Sequence, residues 1–228
     1  LRRWYCNAMW ESRRPPSFKK SESLRITLSL GIFLFHISLM NRLKSFLIWL
    51  LRSGHSRGFG IQSPTDYAFA RYVINEHYPY YGYQDMMIQY PSLSTDRRKL
   101  TELYFRLSNW LQADFAIVST GDKDVCLGYV ASGCGKTKEW KGNSLEGIDQ
   151  YSVLAVLGKN ADPGLLEMLI GKATERTLVV MEDIYGSNKK SWKTLLDNDK
   201  VRVSFDLYYA GIATFDKTRY KTNYKINF

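Results

Sequence analysis

The strongest constraint in this sequence is the order of its apolar runs. Leu100, Leu103, Tyr104, Leu107, Trp110 and Leu111 recur at three- and four-residue spacing, and Phe115-Ala116-Ile117-Val118 follows as an unbroken apolar run closed by Ser119-Thr120-Gly121. The first pattern is one face of a helix, for which Ser94 or Thr95 supplies the N-cap. The second is a strand covered on both faces that leads into a turn. The same kind of unit returns downstream. Residues 151–157 are apolar and close at Gly158, Asp162-Pro163 offers an N-cap and a first-turn proline to a helix over 165–173, and residues 177–181 form the next strand. Ser187 is placed to cap a further helix that carries Trp192, Leu195 and Leu196, with Lys189, Lys190 and Lys193 as its solvated face. Alternation of this kind predicts an α/β fold with a mainly parallel sheet.

Near the C-terminus the period changes to two. Val201, Val203, Phe205 and Leu207 alternate with Arg202, Ser204 and Asp206, and a second apolar run follows Gly211 to Phe215, so an antiparallel hairpin is expected. Tyr220, Tyr224, Ile226 and Phe228 share one parity, which predicts a last strand. Between the first strand and residue 151, residues 125–130 read as a second strand and 132–141 as a loop.

The region before residue 94 is helical in pattern. Leu43, Phe46, Leu47, Leu50 and Leu51 make an amphipathic helix over 41–52, read as a lid packed on the domain in preference to a membrane-surface helix. Tyr67, Phe69, Ala70 and Val73 resume helical spacing after a loop marked by Gly58, Gly60 and Pro64. The tyrosines between residues 77 and 83 are read as packing at a loop corner beside Pro79 and Gly82.

A chain of 228 residues with 45% hydrophobic content has material for one sizeable core and not for two. Its three cysteines, Cys6, Cys126 and Cys134, form no disulfide framework and no Cys-x-x-Cys pair, which fits a reducing, cytoplasmic setting. The formal net charge of +10 suggests polyanions as partners, but residues 1–39 hold seven basic residues against two acidic ones and so carry half of it. Nucleic-acid and membrane partners are therefore not favoured. The apolar run over 26–39 is shorter than the roughly 20 residues of a spanning helix, and no small-x-small cleavage site precedes Asn41, Arg42 and Lys44. Met40-Asn41-Arg42-Leu43 reads as a natural start, so residues 1–39 are expected to be upstream translation or a disordered leader. Residues 40–93 are then an N-terminal helical lid and loop, and 94–228 the main domain.

In an open parallel sheet, ligands bind outside the carboxyl ends of the strands, here Ser119 to Asp122, Leu157 to Asn160 and Glu182 to Tyr185. Glu182-Asp183 could hold a divalent cation, act as a base, or accept hydrogen bonds from a following helix N-terminus. Two apparent motifs carry no chemistry. Gly133-Cys134-Gly135-Lys136-Thr137 ends like a phosphate loop but has Val130 where the first glycine is required. Cys126 and Cys134 with His55 or His77 match no metal-ligand spacing, and no metal site is expected.

From about Arg52 to Phe228 the chain resembles a bacterial branch of the class I S-adenosylmethionine-dependent methyltransferases, close to the O-methyltransferases. Three stretches carry the resemblance: Gly60-Ile61-Gln62-Ser63-Pro64 with Tyr80-Tyr81-Gly82-Tyr83; Leu103-Tyr104-Phe105-Arg106-Leu107-Ser108-Asn109-Trp110; and Val179-Val180-Met181-Glu182-Asp183-Ile184-Tyr185-Gly186-Ser187 with Trp192, the hairpin and the closing Phe228. Gln62 stands where that branch has histidine. The resemblance implies a Rossmann-like methyltransferase fold with a reversed last strand, an S-adenosylmethionine cofactor and a small-molecule substrate. It places Ser119, Thr120, Gly121 and Asp122 at the cofactor turn, Asp183 as base or metal ligand, and Glu182 as its partner.

The departures from the family fall where the cofactor is held. Only Gly121 remains of a glycine-rich turn, Lys123 follows it, no ribose-binding acid is apparent among residues 126–140, and Leu157 stands where the family has aspartate. The span from Phe105 to Gly158 is short by one strand-helix unit. The expected function is thus a divergent methyltransferase-like protein with weakened or lost catalysis. The alternatives are an active O-methyltransferase and a basic nucleic-acid or membrane-surface binding protein.

Overall fold

Strands β1 (Phe115–Ser119), β3 (Val153–Leu157) and β4 (Thr177–Glu182) lie side by side and parallel, each an apolar run because each is covered on both faces. The computed structural model describes residues 43–44, 46–55, 58–142 and 145–228. Residues 43–44 and 46–51 are helical, here α1, where the amphipathic pattern predicts a helix, and the rings of Phe46 and Trp49 stack on one another. The expectation for residues 1–39 lies outside the described residues. Contacts divide the chain into two units, Leu1–Leu51 and Arg52–Phe228. Among the described residues no helix is long and apolar enough to cross a membrane.

Seven strands form one mixed sheet in the order β2-β1-β3-β4-β6-β5-β7, with β2 at Lys138–Glu139, β5 at Val203–Asp206, β6 at Ala210–Thr214 and β7 at Thr222–Lys225. Among the described residues only β6 runs against its neighbours; it is inserted between β4 and β5, and β7 joins β5 in parallel at the edge. The expected hairpin and final strand are both present, and the arrangement is consistent with a Rossmann-like fold. The reversed strand is β6, however, and the last strand runs with the majority.

Successive residues of each strand go to opposite cores. Ala116, Val118, Leu154, Val156, Leu178 and Val180 face the layer of α2 (Pro64–Phe69), α4 (Thr95–Leu111) and α5 (Lys123–Gly133). Ile117, Val153, Ala155, Leu157, Val179 and Met181 face α6 (Pro163–Lys172) and α7 (Lys189–Asp197). Helix α3 (Tyr81–Gln89) lies with Tyr80 and Tyr83 around Phe105, so these two tyrosines pack as expected, whereas Tyr78 and Tyr81 are exposed.

Three local expectations need correction. Residues 125–130 are not a strand but the middle of α5, whose buried set, Cys126, Tyr129 and Val130, has helical three- and four-residue spacing. The β-branched residues of that run suggested a strand, but packing against α4 decided the matter. Helix α5 comes so near α4 that a Cβ on Gly133 would collide with the carbonyl of Phe105. Residues 132–141 are not all loop, since α5 ends at Gly133 and β2 follows; two polar residues paired to Phe115 and Ala116 by backbone alone have no apolar signature. Ser187 does not cap α7. Asn188 occupies the cap position without a side-chain cap bond, and the Ser187 hydroxyl turns back to Asp183. By contrast Ser94 caps α4 and Asp162 caps α6, as local side-chain chemistry requires.

Candidate functional site at the carboxyl ends of the strands

Because β1 leads to β2 on one side and β3 lies on the other, the order of connection reverses between β1 and β3, where open α/β sheets bind ligands. Here the gap is tight. The Gly158 N–H donates to the Ser119 carbonyl at 2.7 Å, and a Cβ on Gly158 would lie 2.9 Å from the Cα of Thr120. Only glycine permits the two strand ends to close in this way.

Arg97 sits above that closure. It is the third residue of α4 and its backbone N–H is held by the Ser94 cap. The helix is anchored further along by Arg106, a buried guanidinium that donates to the carbonyls of Val73 and Ile74 and to the Tyr83 hydroxyl. From this position Arg97 Nε and Nη2 donate to the two carboxylate oxygens of Asp122 at 2.6 and 2.5 Å. Its Nη1 donates to Glu182 Oε1 at 2.6 Å, and the same oxygen accepts from the Tyr104 hydroxyl at 2.6 Å. The Cys126 thiol completes the cluster, 3.0 Å from Arg97 Nη2 and 3.3 Å from the Thr120 hydroxyl.

These contacts set the charges. Burial works against the Arg97 cation, but the hydrogen bond to Asp122 and the neighbouring acidic groups raise its pKa above the usual range. Burial likewise disfavours the Asp122 carboxylate, and the Arg97 guanidinium outweighs it and holds the group below the usual value. Burial pushes the Cys126 thiol up to about 12 and the Tyr104 phenol well above its usual value, the latter reinforced by the Glu182 charge. Cys126 is therefore a protonated, unreactive thiol, and Tyr104 a fixed donor.

The residues singled out in the sequence are brought to this rim but do different things. Ser119 ends β1, Thr120 and Gly121 form the turn, and Asp122 is locked to Arg97. Glu182 points into the same cluster, whereas Asp183, one residue on and with φ of 52°, turns its carboxylate to the N–H and hydroxyl of Ser187, both at 2.9 Å. The two acids thus diverge, and Asp183 ties down the turn before α7. An acid that was not apparent in the sequence does stand at the end of the second strand, Glu139. It closes β2 and is paired with Lys123 at 2.5 Å.

Two further residues were not legible. Arg97 is 85 positions from Glu182 in the chain; its one local signal is a cation in the first turn of a helix, where the dipole disfavours it. Asn188, buried behind the rim, donates to the carbonyls of Gly158 and Glu182 at 2.7 and 2.8 Å and accepts from the Ala161 N–H at 2.9 Å, which ties β3 to β4. Nothing local marks it.

The chemistry of this donor set does not suit a sulfonium cofactor. Of the acids at the ends of the first, second and fourth strands, Asp122 and Glu182 are paired with Arg97 and Glu139 with Lys123, while Asp183 is taken up by Ser187. A second Arg–carboxylate clamp stands farther along the same rim, where Arg52 grips Asp206 at 3.0 Å beside the stacked rings of Tyr185 and Tyr208. Compared with known proteins, the sequence matches no family model and no curated protein.

Proposed function

We propose that this chain is a divergent S-adenosylmethionine-dependent methyltransferase-like protein whose catalysis has been lost and whose fold serves binding or scaffolding. The observation that carries this reading is the Arg97 fork between Asp122 and Glu182. A guanidinium of the chain itself occupies the carboxylates at the strand ends, so neither is free to grip a ligand there. The descent is supported by the parallel β2-β1-β3-β4 core, the antiparallel β6 inserted beside β4, and an acid at the end of β2. A fold of this kind persists when its packing positions survive and its site does not. The buried thiols of Cys126 and Cys134, both free, accord with a reducing, cytoplasmic setting.

Calorimetry with S-adenosylmethionine and with its demethylated product tests this reading. No heat is expected at millimolar ligand. Saturable one-to-one binding of either compound, lost on Gly158→Ala or Thr120→Ala, would overturn it in favour of an active O-methyltransferase.

A further inference from the structure

Beside α7, away from the Arg97 cluster, the sheet edge opens into a groove with a volume of about 580 Å³. Its floor is formed by Trp192 and Leu196 of α7 and by the edge strand β7. Lys189 and Lys193 line it from α7, and Lys221, just before β7, and Lys225, the last residue of β7, line it from the edge of the sheet. Lys221 is engaged by the Asn198 carbonyl at 3.0 Å and by Asp199 at 3.9 Å. Lys189, Lys193 and Lys225 have no ion-pair partner among the described residues. Asp197 and Asp206 also line the groove, the latter paired with Arg52, but the lysines outnumber them, and an anion between the lysines offsets their mutual repulsion.

The shape selects the size of the anion. Lys221, held by Asp199, and the hydrogen-bonded pair Tyr185 and Asp206 are all part of its lining or next to it. A groove of this volume, ordinary for small-molecule sites, suits a compact ligand better than a polymer strand. The combination of an apolar floor holding an indole edge with lysines on both rims selects a flat apolar body joined to phosphate. We propose that this groove is a binding site for an aromatic organic phosphate of nucleotide size. It shares no residue with the Arg97 cluster, so it stands whether or not S-adenosylmethionine binds.

The experiment is calorimetric titration of the full chain with ADP, adenosine and inorganic pyrophosphate. ADP is expected to bind one-to-one and at least about tenfold more tightly than either fragment, with an affinity that falls as salt is raised. The double variant Lys189→Glu, Lys193→Glu is expected to weaken ADP at least about tenfold. Lys136→Glu, Lys217→Glu makes the same change in net charge outside the groove and is expected to leave binding within about twofold. Folding is controlled by Tm, which the Lys189→Glu change should hold or raise, because the helix dipole favours an acid in the first turn of α7. No ADP binding at millimolar concentration, or equal losses in the two double variants, would overturn the proposal.

Discussion

Replacing Arg97 by alanine removes the one cation that satisfies two carboxylates at the strand ends. Glu182 is only 9% exposed and would keep the Tyr104 hydroxyl alone, whereas Asp122 is 34% exposed and water can reach it. Breaking a buried pair by deleting one partner costs roughly 3–5 kcal/mol, and solvent at Asp122 reduces this to about 2–4 kcal/mol. For a chain of this size the Tm should fall by something on the order of 5–15 °C. The decisive measurement is a double-mutant cycle by urea denaturation. Glu182→Gln added to Arg97→Ala should cost at least about 1 kcal/mol less than the two changes summed, because the second change removes the charge stranded by the first. The pH dependence has a definite sign. Asp122 has a lowered folded-state pKa, so its contribution is present above the usual 3.8 and is lost as pH falls below that through the folded value. Arg97→Ala should remove that acid-side loss. Strict additivity in the cycle, or a cost for Arg97→Ala within about 0.5 kcal/mol of zero, would refute the reasoning.

Two further expectations test the same rim. Asn188→Ala strands the Gly158 and Glu182 carbonyls and the Ala161 N–H, and should cost about 3 kcal/mol or more in urea unfolding without changing the pH profile that Asp122 sets. Cys126, with its thiol pushed up to about 12 by burial, should resist iodoacetamide at pH 8 in the native state and react at the rate of an ordinary cysteine only in denaturant, as read by peptide mass; rapid native labelling would contradict the packing described.

Much of the scaffold was legible because it rests on short-range chemistry. Phe115 to Val118, Val153 to Leu157 and Thr177 to Met181 announce strands because both of their faces are covered, and Ser94 and Asp162 announce helix starts because a cap is made within three residues. Helix α5 was missed where its own residues favour extended backbone and only contact with α4 and β1 settles it. Strand β2 was missed because two polar residues joined through backbone leave no pattern, and Glu139 was missed with it.

The order of apolar periods by itself determined that this chain would build a mainly parallel sheet between helical layers, with a hairpin near its end, since burial of alternate or every third and fourth residue is a property of the local chain. Only the tertiary structure decided that Arg97 reaches across from α4 to hold Asp122 and Glu182, that Asp183 turns away from its neighbour, and that lysines of α7 and β7 come to face one groove. Those pairings join residues tens of positions apart. Their energies depend on distance and solvent exclusion, quantities that do not exist until the sheet has closed.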